Sequence, residues 1–259
     1  MSRPRVARWV AGWLVMVVAV FGAILLVAGG DADRYLVAPA EVGGSADVGP
    51  PPDDHGLSTD LVERLLAATV RIRGLDCMRA QVGSGFLIDG GLVVTSAHVV
   101  AGIASPVVTT GMGEMATRVV GFDPVADLAV LEPVDDRALP APIELGEAVA
   151  GSVGAILVHD EDGPRAVPMG IHRRIRATGA DVYGRPASGR DALVLAASVE
   201  AGHSGAAVVD GDGRVVGITF SRVRGGRPVA YAVQSGALRS LLERILVAPE
   251  EAGPCVDGR

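Results

Sequence analysis

Three short segments hold the residue types that nucleophilic acyl transfer needs. His98 lies in Thr95-Ser96-Ala97-His98-Val99-Val100, Asp127 in Ala126-Asp127-Leu128-Ala129-Val130-Leu131, and Ser204 in Gly202-His203-Ser204-Gly205. A serine hydroxyl is a poor nucleophile at neutral pH and needs a base within hydrogen-bond reach. Imidazole suits, because its ordinary pKa lies close to working pH. A buried carboxylate then fixes the ring tautomer and stabilises the imidazolium as it forms. Glycines beside the serine let the backbone aim amides at a developing oxyanion. Each residue alone reads as ordinary: Ser204 as a turn serine, His98 as a structural histidine, Asp127 as a strand-start or capping residue. Together, in the order His, Asp, Ser and each beside an apolar run, they read as one catalytic triad. The order also excludes the α/β-hydrolase arrangement, in which histidine follows serine, because no histidine lies beyond His203.

The elements that must position these residues are short apolar runs separated by Gly, Asp and Pro. One series is Ala68–Ile72, Gly85–Ile88, Leu92–Thr95, Arg118–Phe122 and Leu128–Leu131. A second is Val153–Val158, Ala166–Ile175, Ala192–Val199, Ala206–Val209, Val215–Phe220 and Val229–Val233. With Asp89-Gly90-Gly91 and Asp210-Gly211-Asp212-Gly213 as turns, the pattern predicts an all-β sandwich or barrel pair. The Pro-rich stretch Glu132–Pro142 divides the series. Ser58-Thr59-Asp60 is expected to cap a short helix through Leu66, and Gln234–Val247 has helical spacing up to Pro249.

Upstream, Trp9–Gly30 contains no charge, follows Arg3, Arg5 and Arg8, and precedes Asp31 and Asp33. That length crosses about 30 Å of hydrocarbon, and arginines stay on the cytoplasmic side. The expected organisation is a cytoplasmic 1–8, a transmembrane helix 9–30, a flexible linker 31–56 and an extracytoplasmic domain 57–259. A cleaved signal peptide is the alternative, with small residues around Val27–Ala32 as the cut. Either way the domain lies outside the cytoplasm. Cys77 and Cys255 have no zinc-ligand neighbours, and read as a disulfide in an oxidising space or as two unpaired thiols. No metal or cofactor is expected. The formal charge of −7, with arginine as every basic residue, argues against a nucleic-acid binder.

Taken as a set, TSAHVV, ADLAVL and GHSG resemble the signature blocks of trypsin-like peptidases of the chymotrypsin fold, over roughly residues 57–259. Val82–Ile88 (VGSGFLI) resembles the strand before the histidine block in the HtrA branch. The chain is more similar still to the MarP-like acid-resistance proteases of actinobacteria, in its extracytoplasmic placement, a cysteine on each side of the catalytic blocks, and no room for a PDZ module after Val247. It differs from them in having one expected span. The resemblance implies a chymotrypsin-like double β-barrel with a C-terminal helix, cleaving protein or peptide substrates in the cell envelope and tied to stress. It implies an oxyanion hole from the N–H groups of Gly202 and Ser204, a substrate-pairing edge at Phe220, Ser221 and Arg222, and Ser198 at the base of the P1 pocket. An uncharged Ser198 would disfavour a strict Arg or Lys preference.

Two departures stand in the serine block. His203 replaces the usual Asp or Asn before the nucleophile, and Ala206-Ala207 replaces Gly-Pro. His203 is either a hydrogen-bonded or exposed turn residue or a group that makes the loop pH-sensitive. These departures also leave open a catalytically inactive module that binds peptides or proteins in the same cleft. His55 is expected to be solvated, and His159 and His172 to be structural or superficial.

Overall fold

The computed structural model describes residues 48–76, 79–222 and 228–256. The apolar segment 9–30, most of the linker, Cys77 and the side chain of Arg222 lie outside the described residues. No helix among the described residues is long and apolar enough to cross a membrane.

The two strand-rich series close into two barrels. The first comprises β1 (Thr69–Leu75), β2 (Ala80–Ile88), β3 (Leu92–Thr95), β4 (Val107–Thr110), β5 (Gly113–Asp123) and β6 (Leu128–Pro133). Their spatial order is β1-β2-β3-β6-β5-β4, closed by pairing of β1 with β4. The second comprises β7 (Val153–Asp160), β8 (Gly163–Ala180), β9 (Pro186–Ala196), β10 (Ala207–Val209), β11 (Val215–Arg222) and β12 (Val229–Gln234). Its order, β7-β8-β9-β12-β11-β10, repeats that of the first barrel and closes through β10 and β7. Closure removes the free edges that open antiparallel sheets must otherwise protect.

Local chemistry accounts for the connections. Gly90 and Gly91 take φ of +79° and +71° in the turn between β2 and β3, a region open to glycine at little cost. Between β10 and β11 the Asp210 carboxylate accepts from the N–H groups of Asp212 and Arg214. Helix α1 (Thr59–Ala67) is capped by Ser58, whose hydroxyl accepts from Leu61 N–H. The helix α2 (Ala97–Val100) is four residues long and follows β3 directly. Helix α3 (Ser235–Val247) buries Leu238 and Leu241 completely and packs on β5, where Gly121 leaves room for Ile245. Each such leucine contributes about 1.5–3 kcal/mol of burial.

The core is continuous across the seam between barrels. One apolar cluster joins Val70, Phe86 and Val94 of the first barrel to Leu157, Ala207 and Ile218 of the second. A second cluster, around Ile156, Met169, Leu195 and Val208, fills the second barrel.

Candidate active site

Strand register brings His98 and Asp127 together. β3 and β6 run antiparallel with Thr95 opposite Ala129, so the end of β3 lies beside the start of β6. His98 follows the first and Asp127 precedes the second. The Asp127 carboxylate lies 2.8 Å through Oδ2 and 3.0 Å through Oδ1 from His98 Nδ1, and Oδ1 also accepts the His98 backbone N–H at 3.0 Å. Asp127 is buried and has φ of +59°, the one non-glycine residue at positive φ among those described. Aspartate tolerates this region better than most residues, and such strain concentrates at functional sites. The turn leading into it is held by Asp123, whose carboxylate accepts from Val125 and Ala126 N–H.

Burial opposes charging His98, but the Asp127 charge and hydrogen bond outweigh it and the pKa is raised above 6.5. Arg190 works in the opposite direction. Its guanidinium lies 3.9 Å from Asp127 Oδ2 and 4.8 Å from the centre of the Phe220 ring.

Ser204 lies in the loop from β9 to β10, which is tied to the first barrel. Ser84 N–H donates to Ser204 O at 2.8 Å, and the Ser84 hydroxyl donates to Gly202 O at 2.9 Å. That hydroxyl also accepts from His159 N–H at 3.0 Å. The glycines around Ser84 permit this approach. A Cβ on Gly83 would meet Val99 and Ser204 O within 2.9 Å, and one on Gly85 would meet Val94 O at 2.6 Å. Since Val99 adjoins His98, the serine loop and the histidine helix flank one strand.

Gly205 is required for space and for conformation. Its φ is +85°, and a Cβ there would come within 2.3 Å of Thr95 Oγ1 and Ser84 O and 2.9 Å from Ser96 N. Its N–H donates to Thr219 O at 2.8 Å, and the Ser96 hydroxyl donates to the same oxygen. Gly202 has φ of +91° in a turn closed by His203 N–H donating to Glu200 O. A type II turn needs glycine at that third position. Among the described residues nothing accepts from the N–H groups of Gly202 and Ser204.

His203 is buried and turned toward the hairpin of β7 and β8. Its Nδ1 accepts from Glu200 N–H at 3.1 Å, leaving the ring proton on Nε2, 3.5 Å from Asp160 Oδ2. Arg165 lies 3.2 Å from Nε2 and donates to Asp160 at 2.6 Å. Burial, reinforced by the Arg165 charge, lowers the His203 pKa despite Asp160 and Glu200. Asp160 is lowered too: burial raises it, but the Asp162 N–H, Arg165 and His203 prevail.

Of the other residues singled out by sequence, Phe220 sits at a bulge in β11, and Ser221 and Arg222 pair in backbone register with Tyr231 and Ala230. Ser221 is buried. Ser198 is exposed between buried Ala197 and Val199 and makes no hydrogen bond among the described residues. His159 is buried, with Nδ1 3.2 Å from Thr69 O, and His172 is exposed. His55 is half-buried, and its Nδ1 accepts from Leu57 N–H. Ser84, Arg190 and the Asp160–Arg165 pair were not found by sequence. A lone signal for Ser84 was a polar residue between glycines in a strand.

The family of the trypsin-like peptidase domain matches residues 83–218. Serine protease Rv3671c of Mycobacterium tuberculosis is 30% identical over 210 residues, which are 79% of this chain and 53% of that protein. Mitochondrial serine protease HTRA2 of Bos taurus is 30% identical over 244 residues, 90% of this chain and 52% of that protein. The chain thus spans about half the length of these curated relatives. Among solved structures, the active form of the Rv3671c protease from M. tuberculosis matches with a TM-score of 0.72 at 30% identity, covering 81% of this chain and 94% of that one. Its inactive form matches at 0.65, covering 76% of this chain and 98% of that one. The double barrel is therefore of the chymotrypsin type, and the chain belongs to the family of trypsin-like serine proteases.

Proposed function

We propose that this chain is a membrane-tethered, extracytoplasmic serine endopeptidase working through Ser204, His98 and Asp127. The observation that carries the proposal is the buried Asp127 carboxylate at 2.8 Å from His98 Nδ1, with the serine loop docked on the same barrel through Ser84; no hydrogen bond joins Ser204 Oγ to His98 among the described residues. In the reaction, Ser204 Oγ attacks the scissile carbonyl while His98 Nε2 takes its proton. Asp127 holds Nδ1–H and stabilises the imidazolium. The oxyanion forms against the N–H groups of Gly202 and Ser204, each worth roughly 10²–10³ in turnover. Collapse expels the amine, protonated by His98, and leaves an acyl-enzyme on Ser204. Water, deprotonated by His98, then releases the acid.

Substrate would enter as an added strand. β10 pairs with β11 only as far as Ile218. Phe220, Ser221 and Arg222 therefore run past β10, with β12 on their other side. An extended peptide can pair along that side of β11.

Segment 9–30 is the proposed single span, with the protease domain outside. We also propose a Cys77–Cys255 bridge. Gly74 near the end of β1 packs against Ile103, and Gly102 packs against Cys255, so the end of β1, two residues before Cys77 in sequence, lies near the segment that holds Cys255. Closing so long a loop contributes about 5 kcal/mol at most in the chain-entropy account.

The test is covalent labelling of the full chain, held in non-ionic detergent, with a fluorophosphonate. Labelling is expected at Ser204, absent in Ser204→Ala and reduced to background in His98→Ala. No labelling of the folded, oxidised chain would reject the endopeptidase and leave a peptide-binding module. Loss of labelling under reductant alone would tie the site to the bridge.

A further inference from the structure

Apart from the groups that carry the proposed reaction, a cavity of about 460 Å³ opens between the second barrel and the start of α3. Its size suits a small ligand. Its wall carries Arg174, Arg176, Arg190, Arg239 and Arg244 against three carboxylates, Asp123, Glu147 and Asp191. The whole chain carries a formal charge of −7, so this excess of positive charge is local.

The carboxylates do not balance it. Asp191 takes Arg176 at 3.0 Å, and Asp123 takes Arg244 at 2.7 Å. Arg239 donates to Gly146 O, and Arg190 donates to Ala180 O. For Arg190 the nearest carboxylate is Asp127 at 3.9 Å, already engaged by His98. The Arg174 side chain makes no ion pair or hydrogen bond among the described residues. Arg174 and Arg176 are two apart on β8 and so share a strand face. Glu147 on the same wall has no ion-pair partner among the described residues and offsets one charge, so the excess that an anion would relieve rests on Arg174, Arg239 and the weakly paired Arg190.

The start of α3 adds to the same field. Ser235, Gly236 and Ala237 line the cavity, the Gln234 side chain does not cap the helix but donates to Ala192 O, and the first turn holds no acid. The N–H groups of a helix start and its dipole favour negative charge.

We infer that this cleft binds an anion carrying two or more phosphate or carboxylate groups, held by Arg174, Arg190 and Arg239 at the start of α3. The site is separate from the Ser204 loop, and binding does not require a working nucleophile. Arg190 connects the two places, because an anion in the cleft competes with Asp127 for its guanidinium.

The test is titration calorimetry of the full chain in non-ionic detergent. Pyrophosphate and citrate serve as probes, each against sodium chloride at matched ionic strength. Saturable one-site binding is expected for one or both. Pyrophosphate alone would assign a phosphate ligand, and citrate alone a carboxylate ligand. Arg174→Glu and Arg239→Glu should each weaken binding by about tenfold or more, since each removes a charge-assisted contact and adds repulsion. Arg64→Glu, on α1, should leave it unchanged. Near-UV circular dichroism checks folding, and Arg174→Gln and Arg239→Gln carry the test if the reversals misfold. Absence of saturable binding for both probes would overturn the inference, as would undiminished binding in the folded variants.

Discussion

The hydroxyl of Ser84, in the first barrel, donates to the carbonyl of Gly202, in the serine loop of the second, at 2.9 Å. The N–H of Ser84 donates to Ser204 O as well, so one residue holds both ends of the stretch that carries the proposed oxyanion donors. Ser84 is fully buried, and its position depends on glycines at 83 and 85 that let β2 approach Val99 and Val94.

Ser84→Ala should therefore act on turnover as well as on stability. It leaves Gly202 O and His159 N–H without their partner, at about 1–3 kcal/mol for buried groups. The loop should lose definition more than substrate affinity. We expect kcat to fall about tenfold, less than the roughly 10²–10³ of a lost oxyanion donor, with KM nearly constant. Steady-state kinetics beside a urea denaturation curve separates the effects. Reduced stability with kcat unchanged would make Ser84 a packing residue only.

Gly205→Ala tests the fit of the loop against the end of β3. The added methyl meets Thr95 Oγ1 and Ser84 O within 2.3 Å, on a backbone with φ of +85°. Overpacking and the left-handed backbone together should cost about 2–4 kcal/mol. Gly111→Ala, with nothing within 4 Å and no positive φ, should instead be neutral or stabilising by up to about 1 kcal/mol. Comparable denaturation midpoints for the two variants would contradict this account.

The acid limb of activity should reflect His98. Its pKa is raised above 6.5, so kcat/KM should fall as pH drops through a value above 6.5, where the base becomes protonated. The linked stability has the opposite trend. The His98–Asp127 ion pair contributes fully below the unfolded pKa, and that contribution is lost as pH rises through the folded value. Asp127 and Arg190 are the charged groups that set it. Arg190→Gln removes a charge that lowers the pKa, so the limb should move to higher pH. Asp127→Asn should cost about 10⁴ in kcat through the wrong tautomer. A limb below 6.5 in the parent chain, or a downward move in Arg190→Gln, would contradict the geometry.

These contacts differ in how far the sequence disclosed them. β3 and β6 were legible as unbroken apolar runs, and the register between them is what brings His98 to Asp127. β4 was not read, because Val107–Thr110 has four residues, two of them half-exposed, beside a polar turn. The repeated strand order of the two barrels leaves no repeat in sequence, since barrel closure constrains pattern and length but not identity. Asp, His and Ser were recognisable because the chemistry restricts residue type. Ser84 and Arg190 act through partners distant in the chain, as Arg165 does toward His203, and spacing along the chain does not name such partners. Ser198 takes its expected place from the family resemblance alone, and a position so assigned loses register wherever a loop changes length. Segment 9–30 and Cys77 lie outside the described residues, so the span and the bridge rest on composition and on the contacts of Gly74 and Gly102.

His203 should add a second, lower acid transition. As a neutral ring it accepts Glu200 N–H at Nδ1 and faces Asp160 through Nε2, with Arg165 beside it. A proton on Nδ1 would set two donors against each other and open the turn that presents Gly202. Its pKa is lowered, so this happens below 6.5, beneath the limb of His98. The sign for stability follows: the neutral ring's contribution is present above the unfolded pKa and lost as pH falls through the folded one. A plot of log kcat/KM against pH should steepen from a slope of about one toward about two below that point. His203→Asn keeps an acceptor for Glu200 but cannot titrate, so its slope should stay near one. If the parent chain and His203→Asn gave the same slope to the lowest pH at which both remain folded, His203 would be a fixed strut of the loop and not a titrating element.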